Sequence, residues 1–63
     1  MIDPKAQMRA ENWGYSSRQD DEPRHSNPYL EVSVTTEEEK ELILDLAAAW
    51  WRGWDRADIA LTR

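Results

Sequence analysis

Thirteen carboxylates, one histidine, four tryptophans and no cysteine are the chemically informative residues of this 63-residue chain. The carboxylates fall into two runs, Asp20-Asp21-Glu22 and Glu37-Glu38-Glu39 followed by Glu41. General acid catalysis needs a carboxyl group whose pKa is raised by burial. These runs stand in polar sequence, where a solvated face is the plain reading. His25 is flanked by Pro23, Arg24, Ser26 and Pro28 and has no second ligand at metal spacing, so it reads as a solvated loop residue. Without cysteine there is neither a disulfide nor a thiolate metal site. With only Gly14 and Gly53, no glycine loop can cradle a phosphate. The expectation is a non-enzyme that needs no cofactor and no metal, with no small-molecule substrate evident.

The remaining chemistry is that of contact. Trp50, Trp51 and Trp54 lie within five residues, and tryptophan is enriched where protein interfaces concentrate their binding energy. These three, with Leu44 and with Arg52 and Arg56 at a polar rim, are the expected partner-binding residues. Asp20, Asp21, Glu22, Glu37, Glu38 and Glu41 form a secondary acidic surface suited to a basic partner. The competing expectation is that the tryptophans close the core of a small monomer on Met8, Trp13, Tyr15, Leu30, Val32 and Val34. A net charge of −5 opposes non-specific nucleic-acid binding and adsorption to anionic membranes. An apolar run such as Ala47–Trp51 is far too short to span a bilayer. Met1-Ile2-Asp3-Pro4-Lys5 opens no signal peptide, so a cytoplasmic protein is expected.

The elements that must position these residues make one small domain over 1–63, mainly α. Asp3 as N-cap and Pro4 at the first position start a short helix over Lys5–Glu11, which Asn12 or Gly14 can end. Ile2 and Trp13 stand at the margins of its thin apolar face. Residues 16–28 contain no apolar side chain and two prolines, and read as a long acidic loop or a disordered linker. Tyr29–Val34 alternates, with Leu30, Val32 and Val34 on one face, as a half-buried strand does. A lone strand cannot satisfy its own backbone, so a dimer with paired strands is one solution. The principal helical segment covers 36–61. It has two possible capping boxes, Thr35 with Glu38 and Thr36 with Glu39, and Gly53 is a place where it can bend. At about 100° per residue its apolar sector runs from Leu42 to Trp54 and covers roughly 200° of the circumference, twice what one contact needs. The strand and the first helix cover one side of that sector, leaving nothing in the chain for the other.

The stretch Leu42–Thr62, about a third of the chain, resembles the first two helices of a helix-turn-helix, with a turn at Arg52-Gly53-Trp54. In this sequence Arg63 follows before any recognition helix. The order of Leu30–Val34 and the helix from Thr36 resembles a ribbon-helix-helix, although the outward residues Tyr29, Glu31 and Ser33 are not basic. Both resemblances imply a DNA-related regulator; an acidic DNA mimic is a third form of that alternative. The first expectation is a small acidic protein-binding module, regulatory or inhibitory by stoichiometric contact or self-association. Compact accessory proteins of this type are frequent in phages and mobile elements. A small structural subunit of a larger assembly is the remaining alternative.

Overall fold

The computed structural model describes residues 3–62; Ile2, expected beside the first helix, lies outside them. Helix α1 spans Pro4–Gln19. It begins as its sequence requires, with the Asp3 carboxylate accepting the Lys5 N–H at 3.0 Å and Pro4 where no N–H is needed. Its end is different from the stop expected at Asn12 or Gly14. The chain stays helical through Gly14 and four residues of the expected loop, then stops at Asp20-Asp21. Asp21 takes a left-handed φ of 61°. The Glu22 N–H donates to Ser17 O, and the Asp21 N–H to Arg18 O, both at 3.0 Å. This is the Schellman closure that glycine usually provides, built here on an aspartate and followed by Pro23.

Between the helices the chain makes two 3₁₀ turns, Arg24–Ser26 and Pro28–Glu31. The strand expected over Tyr29–Val34 is therefore absent, and no strand occurs among the described residues. Pro28 fixes φ and removes a ladder donor. The Asn27 carbonyl oxygen of the side chain accepts the Tyr29 N–H at 3.0 Å, which starts a turn in place of an extended run. A dimer through paired strands has no strand to be built from.

Helix α2 spans Glu37–Thr62, 26 residues, and passes through Gly53 unbroken. Of the two possible capping boxes, the one on Thr36 forms, with its return bond shifted to the residue before the cap. Thr36 Oγ1 accepts the Glu39 N–H at 3.1 Å, and the Glu39 carboxylate reaches back to the Thr35 N–H at 3.2 Å. The turn expected at Arg52-Gly53-Trp54 does not form, and with it goes the helix-turn-helix arrangement. Without a strand, the ribbon-helix-helix arrangement goes too.

Both helices run in the same direction. Glu11 and Gly14 lie level with Trp50 and Gly53, while Arg18 reaches Trp54 and Asp58. The connecting segment travels back along α2, from Trp54 at Glu22 to Ala47 at Asn27. Small residues line the crossing: Ala10, Gly14 and Ser17 of α1 against Ala49, Gly53 and Ala57 of α2, all buried. Here the glycines have a positional use. A Cβ on Gly14 would sit 1.8 Å from the Trp50 carbonyl oxygen, and one on Gly53 would sit 1.8 Å from that of Glu11. Each glycine thus turns a Cα–H toward the opposite backbone, a contact worth about 0.5–1 kcal/mol. The buried apolar core is otherwise only Ala10, Ala47, Ala49, Ala57 and Trp50. α2 is the spine of an elongated body of 40 × 22 × 13 Å.

Candidate protein-interaction surface

The three tryptophans have three different surroundings. Trp50 is fully buried, and its Nε1–H finds no acceptor among the described residues. Trp51 and Trp54 are half-buried on the side of α2 that faces the connecting segment. Trp51 Nε1 donates to Arg24 O at 3.0 Å and Trp54 Nε1 to Glu22 O at 2.8 Å. The Arg24 guanidinium lies over the Trp51 ring at 5.1 Å, and that of Arg18 over Trp54 at 5.5 Å. The side of the apolar sector expected to lack a cover is thus covered by residues 22–27. Sequence reading missed this because those residues are polar. It is their backbone carbonyls, together with the guanidinium groups of Arg24 and of Arg18 from α1, that do the covering.

Ion pairs complete the staple. Arg24 Nε donates to Asp55 at 3.0 Å, and this hydrogen bond, ahead of charge attraction, raises the arginine's already high pKa. Arg18 bridges Asp58 at 2.9 Å and Asp21 at 3.3 Å. Arg56, expected at an interface rim, pairs with Glu11 and lies 5.8 Å from the Tyr15 ring centroid. Arg52 is exposed. Asn27, which no sequence signal singled out, is 1% exposed and donates from Nδ2 to Ala47 O at 2.9 Å, fastening the connecting segment to mid-α2.

Of the apolar residues expected at a partner contact, Leu44 stands clear, 54% exposed. Beside it are residues expected on the buried strand face: Leu30 is 51% exposed and Val32 45%. Together they border a cavity of about 160 Å³. Lys40, Ile43, Leu44 and Ala47 form its α2 wall at helical spacing, and Tyr29, Leu30, Val32 and Val34 form the other. The Tyr29 ring is held from behind by Trp13, edge-on at 5.6 Å. A second, more open cleft of about 310 Å³ lies between the helices at Tyr15, Arg56, Ile59 and Ala60.

The two acidic runs do not merge. Glu22 sits at Trp54, whereas Glu37 begins α2 seventeen residues earlier, about 25 Å away along the helix. Asp20 and Asp21 close the end of α1, while Glu37, Glu38 and Glu41 lie on the exposed first turns of α2. Among the described residues no group of His, Cys, Asp and Glu is placed to hold a metal ion. No helix among them is long and apolar enough to cross a membrane. The chain matches no protein-family model, no curated protein and no solved structure.

Proposed function

We propose that this protein is a non-catalytic protein-binding module that acts by stoichiometric contact, and that it makes this contact through the groove between residues 29–34 and the first half of α2. One observation carries the reading: no leucine, isoleucine or valine among the described residues is buried, while the apolar core is alanine and one tryptophan. Leu30, Val32, Leu42, Leu44, Ile59 and Leu61 are all exposed, whereas the buried apolar set contains no leucine, isoleucine or valine. Apolar patches kept in water in this way mark interaction sites. Trp51 and Trp54 serve this reading indirectly, by holding the connecting segment so that Leu30 and Val32 face Leu44.

Site-specific photo-crosslinking in cells that make the protein tests the proposal. A crosslinking amino acid at position 44 or 30 should give a discrete protein adduct, and the same group at position 20 should not. Equal labelling from all three positions, or none from 44 and 30, would remove the groove from the function.

A further inference from the structure

Charge in this molecule is divided by region. Residues 29–47 contain Glu31, Glu37, Glu38, Glu39, Glu41 and Asp45 against one cation, Lys40, and so hold the whole net charge of −5. Elsewhere, seven carboxylates are matched by seven lysines and arginines. The ion pairs follow the same division. Asp21, Asp55, Asp58 and Glu11 each have an arginine, whereas none of the six carboxylates in 29–47 has a cation partner among the described residues. All six are exposed, and they lie in the same two chain segments, 29–34 and the first half of α2, that supply the walls of the groove.

Resting on the protein-binding reading above, we infer that the groove's occupant is a basic amphipathic segment of another protein, with one aliphatic side chain in the cavity and lysines or arginines on either side. The size of the cavity argues for a side chain: about 160 Å³ is well below the roughly 300–1,000 Å³ of small-molecule sites. Charge selects the kind of segment. Leu44 stands between Glu41 and Asp45 in the chain, and Glu31 lies between the groove residues Leu30 and Val32. A cationic segment gains attraction at each of these positions and approaches faster. A second copy of this chain would bring −5 against −5 across the same face, so self-docking here is opposed. Glutamates left unpaired at an apolar surface also repel anionic competitors and offer neutral ones no added attraction, which gives selectivity as well as affinity.

The test uses the full chain and three labelled 18-residue helical peptides with identical leucines and with Lys, Gln or Glu at the polar positions, read by fluorescence anisotropy. The Lys peptide should bind saturably, at least tenfold more tightly than the Gln peptide, with the Glu peptide unbound. Leu44→Ser should weaken the Lys peptide at least tenfold. Glu37→Gln with Glu41→Gln should weaken it about threefold to tenfold at low salt and leave the Gln peptide unchanged. These positions are exposed, and circular dichroism checks that each variant keeps its helices. Binding of the Lys peptide that ignores both variants is non-specific and overturns the inference. A Gln or Glu peptide that binds as tightly, and is lost with Leu44→Ser, keeps the groove as a docking site and overturns only the basic partner. Failure of all three peptides overturns the inference, and the crosslink from position 44 then decides the broader reading by itself.

Discussion

At the scale of single residues, Gly14 and Gly53 carry more of the structure than any large side chain. Helix propensity alone favours alanine at both positions by about 1 kcal/mol. The crossing reverses that preference, because a methyl group at either position would meet a backbone carbonyl at 1.8 Å and the helices would have to part. Gly53→Ala should therefore lower stability by about 2 kcal/mol or more, at the upper part of the usual cost of overpacking, despite the better helix former. Urea unfolding followed by circular dichroism measures it. An increase in midpoint would show that the backbones are not in contact. These glycines read in sequence as a helix stop and a bend, since glycine's local meaning and its packing meaning are indistinguishable without the partner helix. Asn27 illustrates the same limit: nothing local shows that its amide reaches Ala47, twenty residues away.

At the scale of elements, each helix is set by its ends and the connecting segment by its carbonyls. Asp3-Pro4 and Thr36 with Glu39 were legible as starts because caps are local chemistry. The end of α1 was not, because a left-handed aspartate is an uncommon stop. The position holds a testable margin. A non-glycine residue in that region costs roughly 1 kcal/mol or somewhat more, and the Arg18–Asp21 pair is exposed at the Asp21 end and contributes little. Asp21→Gly should raise stability by up to about 1 kcal/mol, read as a higher melting temperature with unchanged helix content. A fall would mean that the Arg18–Asp21 contact outweighs backbone strain. The connecting segment in turn owes its place to two indole N–H groups that donate to Arg24 and Glu22 carbonyls.

At the scale of the whole molecule, one end is electrically balanced and internally paired, and the other is acidic, aliphatic and unpaired. That asymmetry predicts a response to salt. At low ionic strength like charge keeps copies apart, and the Debye length of about 10 Å at 0.1 M salt shrinks to about 3 Å at 1 M. Light scattering across a hundredfold concentration range should find a monomer at low salt and increasing association at high salt, suppressed by Leu44→Ser. A dimer that dissolves as salt is added would mean that ion pairs hold an interface elsewhere, and the acidic groove would then not be the face that governs association.

Local chemistry alone determined that the chain is mainly helical, where both helices begin, that it has no thiol chemistry, and that its acids crowd the start of α2. Each of these depends on residue types or on spacings of three or four positions. Tertiary structure decided the rest. It placed Trp50 inside, covered Trp51 and Trp54 with a polar segment, and turned Leu30 and Val32 outward beside Leu44. The strand reading failed because alternation of Leu30, Val32 and Val34 reports a face only if something holds the backbone extended. Pro28 and the Asn27 side chain hold it in a turn instead. The amphipathic pattern shows how much of a helix is apolar. Which part of it meets the chain itself, and which part remains for a partner, depends on where the connecting segment crosses it.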